Sequence, residues 1–366
     1  MVCGPTDGRD SLIGGNAGAP RLRYVDPMPA NLSPEYKLAE AAYRKARDPK
    51  ERLVHLREML RVIPKHKGTE HLQADIKARI KDLTGELEHG PKGGSRSGPA
   101  LVVRPEGAAQ VALVGPPNAG KSLLHARLTA SHAHDAPYPF TTQFPEPGMM
   151  PFEDIHFQLV DLPALSPDHP VPWLASALQM ADAALLVVDL AAPSCVDEVL
   201  AALALLRERR VTLTAQWGPP AAAGEASADG DPFALRLPAL LLANKVDEIA
   251  DPAAELEAFR ELSGLALPML PISAATGRGL AAIGPWLFRE LGVVRVYTKL
   301  PGKPADRERP FTLHRGQTVR DVARLVHKDL ERSLRFARVT GHAGFENQQV
   351  GPEHPVADGD VIELHG

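Results

Sequence analysis

A loop at residues 115–122 (GPPNAGKS) carries the side chains of this sequence that are best suited to bind phosphate. It matches the pattern G-x-x-x-x-G-K-S, follows the apolar run 110–114 and opens a helical pattern. Glycines in such a loop let backbone N–H groups close around phosphate oxygens, and the helix N-terminus adds its positive dipole end. Lys121 is expected to reach the β- and γ-phosphates, and Ser122 to bind Mg²⁺. The residues predicted to line the phosphate site are Gly115, Pro116, Pro117, Asn118, Ala119, Gly120, Lys121, Ser122 and Leu123.

A second motif, ANKVD at 243–247, also follows an apolar run and predicts which base is bound. The carboxylate of its aspartate can accept hydrogen bonds from the ring N1–H and the exocyclic amine of guanine, and adenine offers neither donor there. A site built around such acceptors rejects a ligand that leaves them unpaired, by roughly 10⁴-fold in comparable cases. The motif ISAATG (272–277) can add a backbone N–H for the guanine oxygen. The residues assigned to the base are Asn244, Lys245, Asp247, Ser273 and Ala274.

A third group of residues follows the apolar run 157–160, which brings Asp161 to a predicted strand end, where a carboxylate could bind Mg²⁺. Ala164 stands where the pattern D-x-x-G has a glycine that gives its backbone N–H to the γ-phosphate. Alanine keeps that N–H, so the contact is lost only if the backbone needs a positive φ or an approach that a Cβ blocks. Leu165 cannot polarise water. We therefore expect slow hydrolysis of the bound nucleotide, unless a cation, a rearranged loop or a partner takes over the role of polarising the attacking water.

The composition excludes several classes of protein. With 45 acidic and 41 basic side chains, the sequence has no overall nucleic-acid signature, so any basic patch must be local. Two cysteines, Cys3 and Cys195, exclude a disulfide scaffold and fit a reducing cytosol. No apolar run approaches the roughly 20 residues needed to span a bilayer. We expect a soluble, cytoplasmic protein with no membrane partner.

Five segments are predicted along the chain. They are a disordered N-terminal extension (1–32), a helical region (33–89), a flexible linker (90–108), a P-loop nucleotide-binding domain (109–292) and a C-terminal domain (293–366). The pairs Ser33-Pro34 and Asp48-Pro49 predict helix starts, because a capping side chain is followed by proline at the first helical position. Apolar runs alternate with helical patterns in the fourth segment, which predicts βαβ units and a parallel-rich sheet. The stretch 216–233 is a low-complexity insertion.

The last segment predicts a small mixed sheet around one helix. The helix is assigned to 318–331 (TVRDVARLVHKDLE), with Val319, Val322, Val326 and Leu330 facing the sheet. A basic stripe recurs every four residues on its other side and continues beyond it, at Arg320, Arg324, Lys328, Arg332, Arg335 and Arg338. Further basic residues lie at Lys65, Lys67, Lys77, Arg79 and Lys81 in the helical region. Both sets are either solvated faces or contacts to RNA.

The motifs GPPNAGKS, YPFTT (138–142), VDLP, NKVD and SAA together resemble the Obg superfamily of translation-factor-class GTPases. The stretch VRVYTKLPGK (294–303) resembles the start of a TGS domain, a β-grasp module. A helical N-terminus, a GTPase core and a TGS domain in that order resemble the developmentally regulated GTP-binding proteins over roughly residues 30–366. The segment from Asp161 to Asn244 is too short for the extra domain that those proteins insert, so we expect a compact relative.

The resemblance implies an enzyme that hydrolyses GTP to GDP and phosphate with Mg²⁺, and that acts as a switch at the ribosome or on a translation factor. It makes YPFTT the first switch, in which Thr141 or Thr142 completes the magnesium coordination. It also implies that Asn118 binds K⁺ beside the phosphates, which would supply positive charge in place of an arginine finger. The other reading of Asn118 is an asparagine that satisfies the turn. The predicted catalytic residues are Lys121, Asn118 and Thr142.

Two other functions remain open at this point. A GTP- or GDP-sensing scaffold with negligible hydrolysis is compatible with Ala164 and Leu165, and an ATPase is disfavoured by Asp247. Ribosomal RNA or an accessory protein would be the partner of the helical and C-terminal segments. Histidines near the switch loops are weak candidates for a general base, because histidines in polar loops are usually solvated. They are His132, His134 and His169.

Overall fold

The computed structural model describes residues 32–46, 48–64, 69–88, 102–129, 142–218, 233–300, 303–341 and 347–366. Several predictions therefore lie outside the described residues. They concern the disordered N-terminal extension up to residue 31, the linker from 90 to 101, the first switch up to Thr141, and the insertion from 219 to 232.

Three helices form the N-terminal part of the described chain. They are α1 (Pro34–Lys45), α2 (Pro49–Val62) and α3 (Glu70–Glu88). The side chain of Ser33 accepts a hydrogen bond from the Tyr36 N–H, and the side chain of Asp48 accepts one from the Lys50 N–H. These caps satisfy backbone donors that the first helical turns leave free. The helices share a hydrophobic cluster that also includes Phe233, which stands next to the larger sheet.

A mostly parallel sheet forms the centre of the protein. In the described residues it has seven strands, in the order β2-β3-β1-β4-β6-β5 with β7 also paired to β6, and the pair β2–β3 alone is antiparallel. The strands are β1 (Gln110–Val114), β2 (Glu146–Phe152), β3 (Ile155–Asp161), β4 (Ala183–Asp189), β5 (Val211–Thr214), β6 (Leu235–Asn244) and β7 (Met269–Pro271). Parallel strands bring their carboxyl ends to one edge, where this class of sheet binds its ligands.

Helices cover both faces of this sheet. The helices are α4 (Lys121–Thr129), α5 (Leu174–Leu178), α6 (Cys195–Glu208), α7 (Pro252–Ser263) and α8 (Ile283–Glu290). One hydrophobic cluster joins α5, α6 and α7 to one face, and a second joins α4 and α8 to the other. The expected P-loop α/β fold is confirmed. No helix in the described residues is long and apolar enough to cross a membrane.

The C-terminal part is a second, mixed sheet, in the order β11-β10-β12-β8-β9 among the described residues. Its strands are β8 (Val293–Thr298), β9 (Asp306–His314), β10 (Phe336–Thr340), β11 (Gln348–Val350) and β12 (Asp360–His365). The pair β8–β12 is parallel, and the other pairs are antiparallel. One face packs on a helix that buries Val319 and Val322 completely. This is the separate β-grasp sheet that the sequence predicts.

The tail helix differs from its prediction, because two short helices replace one. They are α9 (Val319–Val326) and α10 (Lys328–Ser333), and His327 between them is extended, with φ −167° and ψ 140°. The His327 side chain accepts a hydrogen bond from the Asp329 N–H and so caps α10. The helix therefore ends at Val326, whose exposed fraction is 39% instead of the expected burial.

The basic stripe is also partly neutralised. Arg320 pairs with Glu353 at 2.7 Å. Arg324 pairs with Asp321 at 3.1 Å and with Glu331 at 2.6 Å. The side of α9 that faces solvent is thus a set of ion pairs and carries little free positive charge.

Arg295 of β8 connects the two sheets. Its guanidinium binds both oxygens of Asp358, lies 3.0 Å from Asp154, and contacts Glu153, the other residue of the turn between β2 and β3. The Tyr297 hydroxyl donates to Asp154 at 2.5 Å. The desolvation of Asp154 raises the pKa of its carboxyl, but the hydrogen bonds from Tyr297 and Arg295 outweigh it, and the net pKa is lowered. The carboxylate is therefore kept ionised at the contact between the sheets.

Candidate nucleotide-binding site

The phosphate-binding loop joins the end of β1 to the start of α4. Gly115 has a φ of 150° and Gly120 a φ of 87°. A Cβ on Gly115 would lie 2.2 Å from the Val187 carbonyl oxygen, and one on Gly120 would lie 2.4 Å from Nδ2 of Asn244. Glycine is required at both positions, because the loop passes against the neighbouring strand and against the base motif.

Lys121 is held inside this loop. Its Nζ donates to the carbonyl of Gly115 at 3.1 Å and to that of Pro116 at 2.8 Å, and 7% of the residue is exposed. Burial lowers the pKa of Lys121 to about 8, and the charge of Asp161 acts in the opposite direction. The ammonium group thus lies on the loop that the sequence assigns to the β- and γ-phosphates.

Three oxygen-bearing side chains meet beside the loop. The Ser122 hydroxyl donates to Oδ2 of Asp161 at 2.6 Å. Oγ1 of Thr142 lies 3.1 Å from both Ser122 Oγ and Asp161 Oδ2. The other carboxylate oxygen of Asp161 is buried and has no hydrogen-bond partner among the described residues. Hydroxyl and carboxylate oxygens are the ligands that Mg²⁺ prefers, so this donor set fits the ion. Thr141, the other candidate, lies outside the described residues.

The loop that follows Asp161 is fixed to the phosphate-binding loop by its backbone. The Leu165 N–H donates at 3.0 Å to the Gly115 carbonyl, which also accepts from Lys121. The Leu165 side chain belongs to the hydrophobic cluster on one face of the sheet, with 4% of the residue exposed. Ala164 is not among the residues with a positive φ. Alanine is therefore free of backbone strain at this position.

Asn244 connects the two motifs. Its Nδ2 donates to the Ala119 carbonyl at 2.8 Å, and its Oδ1 accepts from the Ala274 N–H at 2.9 Å. Ser273 is fully buried and accepts from the Thr276 N–H. Asp247 is exposed in a short 3₁₀ turn, where its carboxylate can meet a ligand. The base motif is thus fastened to the phosphate loop and to the ISAATG loop.

One residue at this site was missed by the sequence predictions. Asp189 ends β4, and its Oδ2 lies 2.5 Å from Nζ of Lys245. The signal was present in the sequence, because the run AALLVVD (183–189) ends in aspartate as a buried strand ends.

The remaining candidates are Asn118, for K⁺, and the three histidines, for a general base. Asn118 is exposed and has a φ of 57°, which is a left-handed conformation. Asparagine tolerates this conformation better than most residues, so the geometry fits the interpretation of Asn118 as a turn residue. His132 and His134 lie outside the described residues. The His169 N–H donates to the Ser166 carbonyl within a turn.

Comparison with known proteins agrees with this site. Residues 110–215 match the family model described as 50S ribosome-binding GTPase, and residues 294–365 match the TGS domain model. An uncharacterized GTP-binding protein of Halobacterium salinarum is 29% identical over 363 residues, covering 84% of this chain and 96% of the relative. Developmentally-regulated G-protein 2 of Arabidopsis thaliana is 25% identical over 367 residues, covering 86% and 90%. The chain thus carries a GTPase domain and a C-terminal TGS domain, and over most of its length it is similar to GTP-binding proteins and developmentally-regulated G-proteins.

Proposed function

We propose that this protein hydrolyses GTP to GDP and phosphate with Mg²⁺, and that the two nucleotide states make it a switch at the ribosome or on a translation factor. The observation that carries the proposal is the oxygen cluster of Ser122, Thr142 and Asp161 beside the loop that holds Lys121. Thr142 of the predicted first switch and Asp161 of the D-x-x-G position meet there, which is what a site that senses the γ-phosphate needs.

Each residue has a proposed role in this reaction. Lys121 and the backbone N–H groups of its loop neutralise and orient the β- and γ-phosphates. Ser122, Thr142 and Asp161 hold Mg²⁺, which neutralises charge on the phosphate oxygens when it is bound. The Ala164 backbone has no positive φ, so alanine can present its N–H to the γ-phosphate without backbone strain.

The base is proposed to be guanine. Asp247 would accept the two guanine donors, and Asn244 keeps the base motif in register with the phosphate loop. Bound ATP would leave the Asp247 carboxylate without a hydrogen-bond donor, because adenine has neither of the two guanine donors. The affinity for ATP should therefore be much lower than that for GTP. The test is competition: unlabelled ATP should fail to displace labelled GTP at a concentration at which unlabelled GTP displaces it fully. Equal displacement by both nucleotides would contradict guanine specificity.

Asn118 is proposed to support catalysis by binding K⁺, because the buried Leu165 side chain cannot orient water. A monovalent cation beside the phosphates supplies positive charge where phosphoryl transfer needs it. Turnover is therefore expected to be several-fold faster in KCl than in NaCl at equal ionic strength. The variant Asn118→Gly keeps the left-handed backbone without strain and removes the side-chain oxygen. It should retain GTP binding and lose the potassium stimulation, whereas stimulation that survives in this variant would assign K⁺ to another place.

A sensing scaffold with negligible hydrolysis is the second candidate, and the burial of Leu165 favours it. Single-turnover hydrolysis with enzyme in excess over GTP separates the two functions. Conversion of the bound GTP within minutes supports the enzyme. Bound GTP that stays intact in both salts, with no partner added, supports the scaffold.

A further inference from the structure

We propose that Asp189 is a positioning residue for base recognition. Its carboxylate holds Lys245 and thereby fixes the turn that presents Asp247 to the guanine. The inference rests on the proposed guanine specificity of the site, and it names a residue that neither nucleotide motif includes.

Both oxygens of Asp189 are engaged. Oδ2 lies 2.5 Å from Nζ of Lys245, and Oδ1 accepts a hydrogen bond from the Ala191 N–H at 3.1 Å. The Asp189 side chain is 14% exposed and that of Lys245 is 29% exposed. An ion pair that is partly shielded from water and hydrogen-bonded on its second oxygen keeps its geometry better than a surface pair.

The strand register places this carboxylate beside the base motif. In the parallel pair β4–β6, Asp189 is the partner of Asn244, and the Leu190 N–H donates to the Asn244 carbonyl at 3.0 Å. Asp189 therefore stands on the strand next to the residue that fastens the base motif to the phosphate loop. Lys245, which directly follows Asn244, is therefore within reach of the Asp189 carboxylate.

The backbone of Lys245 requires such support. Its φ is 64° and its ψ is 30°, a left-handed conformation that is costly for a residue with a Cβ. Conformations of this kind persist where surrounding contacts over-determine them. Asp247 follows two residues later and is exposed, and its carboxylate has no hydrogen-bond or ion-pair partner among the described residues. The direction of that carboxylate is thus set by the turn, and the turn is held by the Lys245–Asp189 pair.

The experiment compares the affinities for GTP and ITP, because the base of ITP lacks the exocyclic amine that Asp247 would accept. Asp189→Asn keeps an oxygen for the Ala191 N–H and removes the charge. We expect its GTP affinity to fall roughly tenfold, the loss of one charge-assisted contact, while ITP binding changes less. The preference for GTP over ITP should narrow accordingly. Asp189→Glu should restore part of the preference.

Lys245→Met tests the same pair from its more exposed side. This variant should narrow the preference for GTP over ITP as much as Asp189→Asn does. The double variant Asp189→Asn/Lys245→Met should show the same preference as either single variant, because the effects of removing two partners of one contact do not add. Glu257→Gln is the matched control, since it removes a carboxylate from an exposed ion pair with Arg260 on α7. It should leave both affinities unchanged.

Three outcomes would overturn the inference. One is an Asp189→Asn protein that melts earlier but keeps the wild-type preference for GTP over ITP, which would mean a purely structural role. Another is additivity in the double variant. The third is a wild-type protein that binds GTP and ITP equally, since guanine recognition itself would then be wrong and the inference would fall with it.

Discussion

The backbone and the side chain of Leu165 make different contacts. The N–H fastens the loop to Gly115, and the side chain fills the hydrophobic cluster. The position that follows Ala164 is therefore part of the core of this protein. A polar side chain placed there would not reach the ligand without leaving the core.

Leu165→Gln is expected to lower the free energy of unfolding by about 2 kcal/mol, because a buried amide lacks hydrogen-bond partners there. It should not accelerate hydrolysis. Urea unfolding and single-turnover GTP hydrolysis measure the two effects. Leu165→Met, which conserves volume, should cost less than about 1.5 kcal/mol. A stable glutamine variant with faster turnover would show that the side chain can turn toward the nucleotide.

Thr142→Val removes the hydroxyl that lies 3.1 Å from Asp161 and keeps the shape of the side chain. We expect Mg²⁺-dependent affinity for a non-hydrolysable GTP analogue to fall about tenfold, the size of one charge-assisted contact, and affinity for GDP to stay the same. Thr142→Ser retains the hydroxyl and should bind both nucleotides as the wild type does. An equal loss for both nucleotides would contradict a role for Thr142 that depends on the γ-phosphate.

At the scale of the elements, buried strands and capped helices could be predicted, because their patterns are local. The strand β2 could not. Pro147, Gly148 and Pro151 interrupt its pattern, yet proline is tolerated on an edge strand, and β2 is the edge of its sheet. The break at His327 also escaped prediction, since the basic and apolar periods continue across it.

The site divides in the same way. The residues assigned to phosphate and base come from motifs with fixed spacing. The pairing of Asp189 with Lys245 does not, because it joins residues 56 positions apart that meet only through the register of β4 and β6. Spacing does not separate Thr142 from Thr141; of the two, Thr142 lies within the described residues, 3.1 Å from Asp161.

Arg295→Ala tests the contact between the two sheets. Arg295 is 19% exposed and binds three carboxylates, so its loss is expected to cost about 2 kcal/mol of stability. Arg320→Ala, which breaks a single exposed pair with Glu353, should cost less than about 1 kcal/mol. Thermal unfolding followed by circular dichroism compares them. Equal, small losses would mean that the guanidinium network does not hold the C-terminal sheet.

For the whole molecule, the distribution of free positive charge decides where an anionic partner would bind. The net charge is −4, so the partner must meet a local patch. Arg320 and Arg324 are paired on α9, whereas Arg335 and Arg338 are exposed and have no ion-pair partner among the described residues. The proposed contact with ribosomal RNA is therefore assigned to the start of β10 rather than to α9.

Arg335→Gln/Arg338→Gln is expected to weaken cosedimentation with ribosomes. It should also reduce the slope of log K against log salt concentration by about 1 to 2, since each lost phosphate contact contributes about 0.7 to 0.9. Arg320→Gln/Arg324→Gln has the same change in charge and should have little effect. GTP binding, measured in parallel, should not change in either double variant. The reverse ranking would return the contact to α9.

The β2–β3 hairpin has a mechanical consequence. Its seven residue pairs run without a register shift from Glu146–Asp161, at the nucleotide site, to Phe152–Ile155, at the turn that Arg295 grips. At about 3.4 Å per residue this ribbon is about 20 Å long. A tilt of about 10° at its Asp161 end would displace the far turn by about 3.5 Å. A displacement of that size would break the hydrogen bonds between the turn and Arg295, whose donor–acceptor distances must stay near 2.9 Å. A change in the angle of the hairpin at Asp161 is therefore expected to move the C-terminal sheet that Arg295 attaches to its turn.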